Sequence, residues 1–74
     1  MESAQAFGQA LRDLRQARGL TQETLAFEAG LERVFISMLE RGVRQPTFTT
    51  ILKLAAALDC PASELVGRAE RQLR

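Results

Sequence analysis

The 74-residue sequence has no histidine, one cysteine and two prolines, and each shortage narrows what the chain can do. Histidine is the side chain whose ordinary titration lies nearest neutral pH, so the commonest general base is missing. The one thiol has no base beside it, and no His, Cys, Asp and Glu cluster has metal-ligand spacing. No glycine-rich phosphate loop follows a strand. Glu28 with Glu32, and Glu64 with Arg68, read as solvated charges rather than acid–base pairs. An enzyme is therefore not expected, and no cofactor, metal or small-molecule ligand is implied. A lone Cys cannot form an intramolecular disulfide, and Cys60 in its apolar setting reads as a small buried thiol in a reducing compartment. The apolar run Ile51 to Leu58 is broken by Lys53 and is far too short to span a bilayer. No charged segment leading into an apolar one marks a signal peptide. The expectation is a soluble, cytoplasmic protein with no membrane partner.

Strand-forming runs are scarce as well. Ala, Leu, Glu, Gln and Arg dominate, which points to an all-α fold. With 46% hydrophobic and 26% charged residues the chain is globular in composition. Its length suits one domain, residues 1–74, whose core is small enough that self-association would help it. The net charge is only +1, but the ten basic residues include a single Lys. Arginine's planar fork donates two parallel bonds and so suits phosphates and guanine edges.

The stretch Thr21 to Gly42, TQETLAFEAGLERVFISMLERG, organises the chain. Thr21 is placed as a helix N-cap, with Glu23 near the positive end of the helix dipole. Leu25, Ala26 and Ala29 share one face. Gly30 stops this helix in a left-handed turn. A second stripe, Leu31, Ile36 and Leu39, ends at Gly42. Two short helices with a Gly-bearing turn form a helix-turn-helix, whose second helix enters the DNA major groove. On a helix beginning near Glu32, residues Arg33, Val34, Ser37 and Met38 lie opposite or beside Ile36 and Leu39, on the face left open.

Elsewhere, Phe7, Ala10, Leu11, Leu14 and Ala17 predict an amphipathic helix over Ser3 to Arg18, with Ser3 as its cap and Gly19 at its end. After the VRQPT loop, Thr47 caps a helix whose inner face is Phe48, Ile51, Leu52, Ala55 and Leu58. Pro61 opens a last helix, in which Glu64 precedes Arg68, Arg71 and Arg74 as the dipole prefers. Leu65, Val66, Ala69 and Leu73 recur on one side of it and are read as a self-complementary dimer patch. The total is five helices, the second and third forming the motif.

The residues Gln22, Leu25, Ala26, Gly30, Leu31, Ile36, Leu39, Glu40 and Gly42 resemble the signature of the Cro and lambda-repressor type helix-turn-helix domains. The segments LTQETLA, ISMLERG and ILKLAAALD carry the likeness over nearly the whole chain. Within that family the chain most resembles the small controller proteins of restriction–modification systems. The resemblance implies a compact five-helix domain acting as a homodimeric, sequence-specific transcription regulator on a pseudo-palindromic DNA site. Arg33, Val34, Ser37 and Met38 match base-reading positions. Thr21, Gln22, Arg41, Arg44 and Gln45 match positions near the DNA backbone, with Gln22 also anchoring the second motif helix. Arg15 and Glu40 match a buried ion pair. Double-stranded DNA and a second copy of the chain are the implied partners, with RNA polymerase a further one. Glu32, Phe35 and Met38 depart from the family's usual small cap, Tyr or His, and polar base reader, which implies more shape-dependent recognition. The alternative is an antitoxin or coactivator-type module, whose partner would sit on Val34, Phe35 and Met38.

Overall fold

In the computed structural model, which describes residues 1–74, the chain folds into α1 (Ser3–Ala17), α2 (Gln22–Ala29), α3 (Arg33–Glu40), α4 (Phe48–Ala57) and α5 (Ala62–Gln72). The first four helices close alike. A residue of positive φ follows each: Gly19 (70°), Gly30 (70°), Gly42 (75°) and Asp59 (56°). The next N–H then bonds back to a carbonyl of the last turn: Leu20 to Arg15 (3.1 Å), Leu31 to Ala26 (2.8 Å), Val43 to Met38 (3.1 Å) and Cys60 to Ala55 (3.0 Å). These bonds satisfy carbonyls that a helix end leaves open. Asp59 shows that a short polar side chain can stand where glycine otherwise does.

The helix starts follow the sequence at two caps and depart from it at one. Thr21 Oγ1 accepts from the Thr24 N–H at 3.0 Å, and Thr47 Oγ1 from the Thr50 N–H at 3.1 Å. Ser3 is not the cap of α1. Glu2 takes that place, and Gln5 Oε1 accepts from the Glu2 N–H at 3.2 Å. A glutamine three residues past the cap reaches back to it, and this decides the boundary.

Two neighbouring helices flank α1, which packs against α5 and α3, while α2 lies on α3 and α4, and α4 on α5. Each helix sends at least one fully buried side chain to a shared core: Leu11, Leu14, Leu25, Ile36, Leu39, Leu54, Leu58 and Leu65. Three expectations change here. Leu54, Ala55 and Leu58, with Ile51 beside them, form the inward stripe of α4, so Leu52 turns to solvent and Phe48 stands 72% exposed. Ala17 is exposed on the outer side of α1. Leu65 cannot belong to a dimer patch, because it is fully buried within this chain. Its helical neighbour Ala69 packs against the same core, leaving Val66 and Leu73 facing outward. Cys60 is half-buried, and burial, with Glu64 adding, pushes its thiol up against the opposing pull of Arg18 and Arg68. No helix is long and apolar enough to cross a membrane.

The crossing of α1 and α3 depends on a residue without a side chain. A Cβ on Gly8 would collide with the Leu39 carbonyl oxygen and lie 2.7 Å from that of Glu40. Both obstacles are backbone, so neither swings aside. Gly67 lies within α5, and a Cβ there would meet only Arg71 Nη1, at 3.7 Å. Gly8→Ala is therefore expected to destabilise the fold by about 1–3 kcal/mol or more, through overpacking. Gly67→Ala should stabilise it by about 0.5–1 kcal/mol, because alanine loses less backbone entropy in a helix. Urea unfolding followed by circular dichroism measures both, and equal effects of the two substitutions would contradict the close crossing.

Candidate nucleic-acid interface

The site begins with a buried polar lock. Arg15 of α1 donates to both oxygens of Glu40 at the end of α3, Nε to Oε2 at 2.6 Å and Nη2 to Oε1 at 3.0 Å. Its remaining Nη1 donates to the Leu20 carbonyl at 2.8 Å. The Glu40 side chain is 3% exposed and that of Arg15 11%. The hydrogen bond to Glu40, with Coulombic attraction adding to it, raises the Arg15 guanidinium above its ordinary value despite the opposing effect of burial. A cation whose folded pKa is raised contributes its stability at every pH below its unfolded value. The pair therefore holds through the neutral range and loosens on its arginine side only in strong alkali.

The lock extends to the surface through Gln22, the first residue of α2. Its Nε2 donates to Glu40 Oε1 at 3.0 Å, and its Oε1 accepts from Arg33 Nη1 at 3.1 Å. One continuous path thus runs from α1 through the end of α3 and the start of α2 to the outward head of Arg33. Gln22 is an anchor, as the resemblance implies. Each end of its amide makes one of these bonds, and one N–H of Nε2 remains for an outside acceptor.

Around α3 the side chains divide. Arg33 and Val34 are exposed, Val34 by 60%, while Ser37 is half-buried. Met38 does not stand free, contrary to the outward-face reading, and neither does Phe35, contrary to the protein-interaction alternative. Both are half-buried, and Phe35 packs against the core. A helix of eight residues with only Ile36 and Leu39 fully buried covers its core contact with the flanking residues as well. Arg41 Nε donates to Ser37 Oγ at 3.3 Å, and the Arg44 guanidinium lies over the Phe35 ring, 5.7 Å from its centroid. Thr21, Arg44 and Gln45 are exposed nearby, the Thr21 hydroxyl being held as a cap.

These contacts set the electrostatics. The carboxylate-paired arginines are Arg15 with Glu40 and, weakly, Arg68 with Glu64 at 3.4 Å. Arg33, Arg41 and Arg44 are instead held by an amide oxygen, a hydroxyl and a ring, none of which carries charge. Their positive charge is left uncompensated, with N–H donors to spare on each. Two acids adjoin this group along the chain: Glu40, which is engaged by Arg15, and Glu32, the N-terminal boundary of α3, which makes no side-chain cap bond. The links Gln22–Arg33 and Phe35–Arg44 were not foreseen from sequence. The first pairs the openings of the two motif helices, and the second spans the turn after α3.

A helix-turn-helix family model matches residues 11–65 of this chain. The chain is similar to the restriction–modification controller protein C.AhdI from Aeromonas hydrophila, with a TM-score of 0.82 and 53% identity, covering 84% of this chain and 94% of that one. It is 39% identical over 61 residues to the control protein C.BamHI of Bacillus amyloliquefaciens, covering 81% and 75% of the two chains. It is 47% identical over 64 residues to the HTH-type transcriptional regulator RghRB of Bacillus subtilis (strain 168), covering 85% of this chain and 46% of that protein. The chain thus spans less than half the length of that last relative.

Removing the carboxylate from the lock tests its weight. Glu40→Ala leaves Arg15 buried without its carboxylate partner, and the loss of stability should be about 3–5 kcal/mol. Glu64→Ala removes a half-exposed pair and should cost less than about 1 kcal/mol. Chemical denaturation of the two variants side by side gives the comparison, and a Glu40→Ala loss no larger than that of Glu64→Ala would refute the buried lock.

Proposed function

The chain belongs to the helix-turn-helix family of DNA-binding transcriptional regulators, and from that premise we propose that residues 1–74 form one DNA-binding domain. It acts as a homodimeric, sequence-specific regulator of the restriction–modification controller kind, in the cytoplasm at the nucleoid. The observation that carries this reading is the set of three arginines around α3 held by neutral partners. Such a surface attracts a polyanion, and counterion release from DNA would make its binding fall steeply with salt.

In this reading α3 enters the major groove. Arg33, steadied by Gln22, presents its free N–H groups to guanine O6 and N7, while Val34 touches a thymine methyl. Ser37 and the exposed part of Met38 flank them as further base-reading positions. Thr21, Gln22, Arg41, Arg44 and Gln45 serve the phosphates, together with the N–H groups at the helix starts. Such contacts fix register without reading sequence. Val66 and Leu73, 40% and 48% exposed, with half-buried Ala69 between them, form the apolar side of α5 that would meet a second copy. RNA polymerase is the partner that a promoter-bound dimer would recruit or exclude. The reading as a protein-interaction module loses support, since Phe35 packs against the core, Met38 is half-buried and Val34 alone of the three is exposed.

Selection of bound DNA from a random pool should recover two symmetric half-sites with centres about 34 Å apart or a multiple of that. Binding without sequence enrichment would overturn the proposal. Arg33→Ala should lose about 1–3 kcal/mol of discrimination at one position of each half-site. Arg44→Ala should weaken binding to all sequences about equally and reduce the salt slope by about one per protomer. Leu73→Glu should shift the protein toward monomer in light scattering. A wild-type protein that stays monomeric at high micromolar concentration would exclude the dimer.

A further inference from the structure

Arg44 is one of two exposed cations of the α3–α4 loop, and its one side-chain partner is the face of Phe35. Arg33 and Arg41, by contrast, each give an N–H group to a neighbouring acceptor. A guanidinium held over a ring by cation–π attraction spends no hydrogen bond on its partner, so its N–H donors stay available. Phe35 is suited to be the fixed half of the pair. It projects from α3, is half-buried and packs against the core, so its ring does not follow the loop. Gly42 holds the start of the same loop. Its φ is +75°, and a Cβ there would sit 3.0 Å from Gln5 Cα.

We infer that Phe35 is a positioning residue for DNA binding: its ring holds the Arg44 guanidinium beside the recognition helix, with its donor edge open to a backbone phosphate. The inference rests on the DNA-binding reading above. It gives Phe35 a role that needs no hydroxyl: the side chain bonds nothing on the DNA and works through the arginine it carries. An unstacked Arg44 would keep its charge and its long-range attraction. What it would lose is the restriction of its rotamers, and ordering it on the phosphate would then cost more. The effect falls on short-range affinity, and the sequence preference set by Arg33 should stay unchanged.

A double-mutant cycle tests this, using the full chain and a selected DNA site. Phe35→Leu retains an apolar group against the core and removes the π face. With Arg44 present, it should weaken binding about two- to fivefold per protomer, as expected for an exposed cation–π pair. In an Arg44→Ala background the same substitution should change affinity by much less. Phe35→Tyr keeps the ring and should retain the coupling. In the DNA-free protein, the Arg44 side-chain protons should show upfield ring-current shifts in NMR that vanish in Phe35→Leu, while thermal unfolding confirms that the variant is folded. An equal loss from Phe35→Leu in both backgrounds, or absent ring-current shifts, overturns the positioning role while leaving DNA binding intact. A wild-type protein that shows no salt-dependent DNA binding overturns the underlying reading as well.

Discussion

The contact on which the arrangement depends is the carboxylate of Glu40. It accepts two bonds from Arg15 and one from Gln22, and so joins the first helix to both helices of the motif. Burying such a pair costs several kcal/mol of desolvation per ion, and the return in net stability is often close to zero. Direction is the better explanation of its use. Three donors converging on one carboxylate allow few relative placements of α1, α2 and α3, whereas an apolar contact of equal size tolerates many. Gly8 makes the same placement possible sterically, by letting the backbone of α1 approach the last carbonyls of α3.

The consequences reach the surface through neutral groups. Had Arg33, Arg41 and Arg44 been held by carboxylates, their attraction for an anion would be largely cancelled. An amide, a hydroxyl and an aromatic ring hold them instead, restricting motion while leaving charge. This explains how a chain with a net charge of only +1 can present a cationic face. Of the two exposed acids of α2, Glu28 lies at the end away from Gln22, while Glu23 follows Gln22 in the first turn. Local arrangement matters here more than the total.

The sequence made the helix ends and the motif legible because their causes are local. A cap hydroxyl or a left-handed glycine acts within a few residues, and Thr21, Thr47, Gly19, Gly30 and Gly42 all stand where such reasoning places them. The rotation of each helix about its axis is a different matter. Leu52 and Leu54 are equally apolar, and only the position of the neighbouring helices decides that Leu54 turns inward. Leu65 is the same case: its spacing with Val66, Ala69 and Leu73 marks an apolar side of α5, without saying whether α1 or another molecule covers it. Within the site, the Arg15–Glu40 pair was reached through family resemblance and then found in the structure, since residues 25 apart carry no local signal of contact. The placement of Arg44 over the Phe35 ring left no trace in spacing at all.

A core this small also explains why polar contacts carry so much of the orientation. In α3 only Ile36 and Leu39 are fully buried, one turn of apolar anchoring in an eight-residue helix. Two such side chains resist withdrawal of the helix from the core but only weakly resist its rotation. Rotation by even a fraction of a turn would carry Arg33 and Val34 away from the face they share. Glu40 at one end and the Gln22–Arg33 bond at the other act at the greatest available separation, where a given bond opposes rotation and tilt with most leverage. Phe35, half-buried and packed against the core, extends the apolar contact between those ends. The outward face of α3 is therefore set by residues that do not themselves face outward, and Gln22 and Phe35 shape it through the arginines they hold.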